Sequence, residues 1–148
     1  MKAKPYTIRY IEHIDNGPQR MAVQGKRNKT VTIAKKLLQW FFGRNDSWPF
    51  PHLYVTVFDS QIISVGDDNA FALYQLDMFH IAIAGQKPKE VSQREWEESV
   101  LPHNIFHELH HFIQDSNGLL LGNDTDEEEA NEFAESMMRK WNDFMSMQ

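Results

Sequence analysis

The spacing of apolar residues changes period along the chain. Tyr6, Ile8 and Tyr10 alternate with Thr7, Arg9 and Ile11, the two-residue repeat of a strand, and Asn16-Gly17-Pro18 breaks it. Val31, Ile33, Ala34, Leu37, Leu38, Phe41 and Phe42 then recur at helical spacing, which predicts a helix over 30–42 stopped by Gly43. Trp48-Pro49-Phe50-Pro51 reads as a loop. Three runs rich in β-formers follow at 52–58, 61–65 and 70–84; Gly66-Asp67-Asp68-Asn69 separates the last two, and Asp77-Met78 divides the longest, leaving a last strand over 79–84. Ser92-Gln93-Arg94-Glu95 has the form of a capping box opening a short helix that Pro102 ends or kinks. A further helix over 103–115 closes at Asn117-Gly118, and a terminal one runs from Thr125 to near Met145. The order β-α-βββ(β)-α-α-α predicts an α+β fold with a small, mostly antiparallel sheet.

Composition narrows the class. The 148 residues include ten Phe, four Tyr and four Trp, enough for one packed core, and no linker or repeat divides them, so a single domain over 1–148 is expected. No apolar run reaches the roughly 18 residues that span a bilayer, and Met-Lys-Ala-Lys-Pro at the start is no signal core; a soluble, unprocessed, cytoplasmic protein without membrane contact is expected. Cysteine is absent, which excludes a disulfide framework, thiolate zinc clusters and a Cys nucleophile, and leaves His and carboxylates as the strong metal ligands. Net charge is -6, yet residues 1–44 carry ten of the fifteen Lys/Arg and only Glu12 and Asp15, a local +8 against -14 for 45–148. No aromatic-basic or recognition-helix pattern accompanies the basic third, so attraction between the halves explains it better than nucleic-acid binding.

His107-Glu108-Leu109-His110-His111 is an H-E-x-x-H sequence on a predicted helix. Residues i and i+4 project from one face a turn apart, so two imidazoles can share one Zn²⁺, and Glu108 beside them can take a proton from water and pass it to a leaving amine. With seven His in the chain, chance would produce such a match about 0.02 times. Ile105, Phe106, Leu109, Phe112 and Ile113 form an apolar stripe on the side opposite His107 and His111, which separates a core face from a chemical face.

A third ligand must come from His or a carboxylate. The terminal helix opens Thr125-Asp126-Glu127-Glu128-Glu129-Ala130-Asn131-Glu132-Phe133-Ala134. Helix-dipole complementarity and a Thr125/Glu128 capping box account for part of that acidity. Ala130, Phe133, Ala134, Met137, Met138, Trp141, Phe144 and Met145 are expected to define the packed face, and Glu127 falls within its arc while Glu128 and Glu132 point away. An inward carboxylate needs a cation or a partner.

Taken together, the H-E-x-x-H helix and the E-x-E-A-N-x-F-A pattern of the glutamate helix resemble the ImmA/IrrE-type metallopeptidases, small relatives of the gluzincins. The resemblance covers roughly residues 70–138; residues 1–69 match no family segment, and no helix-turn-helix repressor segment is present. It implies a zincin-like arrangement: an edge strand, here 79–84, along which a peptide lies antiparallel, then the H-E-x-x-H helix and the glutamate helix. It selects Glu127 as third zinc ligand with Asn131 as support for a ligand histidine, Glu129 being the competing assignment. The function implied is zinc-dependent hydrolysis of a protein or peptide substrate, His107, His111 and Glu127 holding the metal and Glu108 serving as general base. A non-proteolytic metal-binding or regulatory module of a phage or mobile element is the alternative, and a nucleic-acid binder using Lys26, Arg27 and Lys29 a third reading. His110 is expected on the helix flank, not as a ligand; His103 starts a helix; His80 and Tyr74 are expected mainly to pack, with oxyanion donation as their functional reading.

Overall fold

The computed structural model describes residues 4–11, 28–44, 51–65 and 68–148. The break at Asn16-Gly17-Pro18, the basic pair Lys26-Arg27, the loop segment Trp48-Pro49-Phe50 and Gly66-Asp67 lie outside the described residues. The fold is α+β, with elements in the order β1 (Tyr6–Ile11), α1 (Lys29–Gly43), β2 (Leu53–Phe58), β3 (Ile63–Val65), β4 (Asp68–Ala70), β5 (Ala72–Gln75), β6 (His80–Ala84), α2 (Gln93–Glu95), a π-helical turn (Trp96–Val100), α3 (Leu101–Ser116) and α4 (Asp124–Ser146). None of the described helices is long and apolar enough to cross a membrane.

The main sheet has the order β1-β2-β6-β5 and is mixed. β1 pairs parallel to β2, β2 pairs parallel to β6, and only β5 runs antiparallel to β6. The expectation of a mostly antiparallel sheet is therefore corrected. Alternation of apolar residues is identical in both strand directions; what sets the direction is that α1 lies between β1 and β2, and a helical crossover returns the chain parallel. A second correction concerns the edge. Residues 79–84 are not an edge strand: Phe79 is a turn residue with φ 48°, and β6 is flanked on both sides, so the edge beside the helices is β5.

The two faces of β6 separate the packing. Ile81 and Ile83 join Val55, Val57, Leu37, Leu38, Phe106, Leu109 and Phe112 in the main core, while Ala82 and Ala84 pack with Ile63 of the β3–β4 hairpin on the other face. Trp40 of α1 meets Phe106 of α3 and both Trp141 and Phe144 of α4, at ring-centroid separations of 6.1, 5.3 and 5.8 Å. α3 is thereby held between the sheet and α1 on one flank and α4 on the other.

Of the two expectations for Pro102, an end or a kink, the structure excludes the end. The chain stays helical from Gln93 to Ser116, because the turn Trp96–Val100 widens to π geometry, with the Leu101 N–H bonded to the Trp96 carbonyl, immediately before the proline. A proline lacks one donor and crowds the preceding turn, and the wider turn relieves that crowding. The π turn is anchored: Trp96 is buried and its indole N–H donates to Thr30 Oγ1 at 3.2 Å, whose hydroxyl donates to the Gly85 carbonyl at 2.9 Å.

Candidate metal centre

α3 supplies the two histidines. Its face toward the sheet is the expected apolar stripe: Ile105, Phe106, Leu109 and Phe112 are fully buried and Ile113 half-buried. The opposite flank is not left to solvent, since Glu108 and His111 are buried as well and His107 is half-buried. The packing of α4 across that flank creates the difference. One turn apart, the His107 and His111 rings face each other at 4.8 Å between centroids and 81°.

α4 supplies the carboxylate. The helix begins at Asp124, one residue before the expected start, because its cap is not Thr125/Glu128 but Asn123/Asp126. The Asn123 side chain accepts from the Asp126 N–H at 3.0 Å, and the buried Asp126 carboxylate accepts from the N–H groups of Leu121 and Gly122 at 2.7 Å. Burial pushes the Asp126 carboxyl upward, but those backbone donors outweigh it and hold it below the usual range. Glu127 is the next residue, and Asn131 stands one turn further along the same face.

These elements converge on one point. His107 Nε2 lies 2.9 Å from Glu127 Oε2, His111 Nε2 lies 3.1 Å from Glu127 Oε1, and the two Nε2 atoms are 3.1 Å apart. His107, His111 and Glu127 form a group that could hold a metal ion. The far sides of both rings are committed: His107 Nδ1 is 2.8 Å from Asn131 Oδ1, and His111 Nδ1 is 2.8 Å from Gln114 Oε1. Each Nδ1 donates to an amide oxygen, so a neutral ring in either place turns its Nε2 lone pair toward the carboxylate and toward the other ring. Three electron-rich groups at this spacing repel one another unless a cation or a proton sits among them. Burial and the neighbouring His111 hold the His107 imidazole below its usual pKa, against the pull of Glu127 and Asn131, which favours the neutral ring a metal requires.

Glu108 flanks this group, its Oε1 4.0 Å from His107 Nε2. Desolvation, and secondarily the charge of Glu127, push its carboxyl up to about 8, while a hydrogen bond from the Tyr74 backbone pulls the other way. Edge strand β5 therefore runs past Glu108.

The remaining candidates are not brought to this point. Glu129 accepts from Gln114 Nε2 at 3.2 Å and stands outside the ligand group. His110 stacks on Phe133 at 4.7 Å between α3 and α4, and its buried Nδ1 has no partner among the described residues. The Tyr74 hydroxyl donates to Asp115, whose carboxylate also accepts from the Asp77 N–H at 3.0 Å, so it braces the β5–β6 turn and gives no oxyanion donor. His80 shares the sheet face of Ala82, away from the helices, with Nε2 2.7 Å from Thr56 Oγ1. His103 is half-buried on the first turn of α3.

Two residues with structural roles here escaped the sequence reading. Gln114 is three residues past His111, a spacing that faces the ring on a helix, but an isolated glutamine carries no signal of its own. Asp126 was legible in principle as the fourth residue of Asn123-Asp124-Thr125-Asp126. No family model matches the chain, nor does any curated protein or solved structure.

Proposed function

We propose that this chain is a zinc-dependent metallopeptidase of the ImmA/IrrE-like, gluzincin type. The observation that carries the reading is the convergence of His107, His111 and Glu127, from two different helices, beside the buried Glu108. Two neutral imidazoles and one carboxylate are the donor types of many catalytic zinc sites. Two nitrogen donors around an ion at about 2.0–2.1 Å sit roughly 3.3 Å apart, close to the 3.1 Å between the two Nε2 atoms, and Glu127 turns one oxygen toward each ring.

Zinc bound there supplies Lewis acidity toward a water molecule and a peptide carbonyl. The chain supplies the rest. His107 Nε2, His111 Nε2 and a Glu127 oxygen hold the ion, and Asn131 and Gln114 keep the two rings in the tautomer that exposes Nε2. Glu108 accepts the proton that water loses as its oxygen adds to the carbonyl carbon, and returns it to the amine nitrogen as the C–N bond breaks. An extended peptide docks along the outer edge of β5, the strand whose Tyr74 backbone reaches Glu108.

The test begins with metal content by elemental mass spectrometry on chelator-free, dialysed protein. About one zinc per chain is expected, lost or loosened in Glu127→Ala. Cleavage of unfolded protein substrates is then expected for the loaded protein and absent in Glu108→Gln, which keeps its zinc. A chain that takes up no zinc, or a Glu108→Gln variant with near-normal turnover, would overturn the proposal.

A further inference from the structure

Three hydrogen bonds meet at the buried side chain of Gln114. Its Nε2 donates to the Asp126 carbonyl at 3.3 Å and to Glu129 Oε2 at 3.2 Å, while its Oε1 faces His111 Nδ1 at 2.8 Å. A side-chain amide can be turned end for end, and which end faces the ring is decided by its other partners. Here both other partners are acceptors only, a backbone carbonyl and a carboxylate. Turning the amide over would set its oxygen against two oxygens and its NH₂ against the Nδ1–H of His111, so the orientation is determined without reference to the ring. The Asp126 carbonyl also belongs to the peptide bond that precedes Glu127. One amide therefore touches the histidine of α3 and the backbone that delivers the carboxylate of α4.

We infer that Gln114 is a positioning residue: oriented by Glu129 and by the Asp126 carbonyl, it keeps the proton of His111 on Nδ1 and sets the register of Glu127 against His111. Glu129, the rival for third ligand, thus acts through Gln114 and not on the metal. The metal-affinity part of this inference rests on the proposed zinc site; the proton-position part does not.

The experiment compares the full chain with Gln114→Leu and Glu129→Ala, and uses Glu127→Ala as the ligand control. The first readout is the imidazole ¹⁵N–¹H spectrum of the metal-free protein. A slowly exchanging Nδ1–H signal from His111 is expected in the parent, lost or exchange-broadened in Gln114→Leu, and weakened in Glu129→Ala. The second readout is zinc affinity by chelator competition. Gln114→Leu is expected to bind zinc about 10–100-fold more weakly, as supports of metal-bound histidines generally do when removed. Glu129→Ala should lose less than tenfold, and far less than Glu127→Ala.

A His111 Nδ1–H signal unchanged in both variants, or a Gln114→Leu affinity within about twofold of the parent, would overturn the inference. So would a larger loss in Glu129→Ala than in Glu127→Ala, which would return Glu129 to the metal. Glu129 is exposed, so its variant tests the chain even where Gln114→Leu fails to fold. If the parent takes up no zinc, the proposed function fails, and the proton signal still decides the role of Gln114.

Discussion

In the metal-free protein Glu108 should be a source of instability whose size depends on pH. The residue is only 8% exposed, and its carboxyl is pushed up to about 8 from 4.5, by burial first and by Glu127 second. Between those two values the folded chain keeps the proton that the unfolded chain releases. Stability then falls as pH rises, by about 1.4 kcal/mol per pH unit for one proton. From pH 5.5 to 7.5 the loss is roughly 2–3 kcal/mol, a sizeable part of the 5–15 kcal/mol typical of a domain. Glu108→Gln keeps the shape and cannot titrate. Urea unfolding in the presence of a chelator, at both pH values, should show the variant gaining on the parent by that amount as pH rises. The lowered imidazoles of His107 and His110 act with the opposite sign, adding stability as pH rises toward 6.5, but they are common to both proteins and cancel in the difference. Saturating zinc should shrink the gap, since a cation beside Glu108 favours the carboxylate. Parallel stability curves for the two proteins from pH 5.5 to 7.5 would refute the assignment of Glu108 as a buried, proton-retaining acid.

Asn131→Ala removes the acceptor of His107 Nδ1 and should weaken zinc binding about 10–100-fold by chelator competition, with little change in the far-UV circular dichroism spectrum. Gly85→Ala would place a Cβ 2.5 Å from the Phe58 backbone carbonyl oxygen and 3.0 Å from a methyl of Val57; a loss of about 1–3 kcal/mol in urea unfolding is expected. Tyr74→Phe leaves the Asp115 carboxylate, among the described residues, with the Asp77 N–H as its remaining donor and should cost about 1 kcal/mol, with faster amide exchange confined to the β5–β6 turn.

Local pattern determined a large share of this molecule. The periodicity of 30–42 became α1, the β-rich runs became β2, β3, β5 and β6, and His107 and His111 share a helix face because residues four apart must. The carboxylate and amide of Glu127 and Asn131 share a face of α4 for the same reason. What one helix cannot encode is where the other lies. That Glu127, and not Glu129, reaches both imidazoles depends on how α4 crosses α3, which is set by Trp40 packing against Phe106, Trp141 and Phe144, and by the Gln114 bridge to the Asp126 carbonyl.

A two-residue repeat reads the same in a parallel or an antiparallel pair; the helix between them makes β1 and β2 parallel, but that β6 lies between β2 and β5 and leaves β5 at the edge is decided by the tertiary structure. Pro102 is open in the sequence for a related reason. The residue alone says that an α-helix should stop or be distorted, and it is a π turn held through Trp96 by Thr30 and Gly85 that carries the helix through. Residue type and spacing thus determined which groups are available for chemistry. Long-range packing decided which of them meet, since the contact free energy that selects one crossing or strand order over another arises between segments that no local window contains.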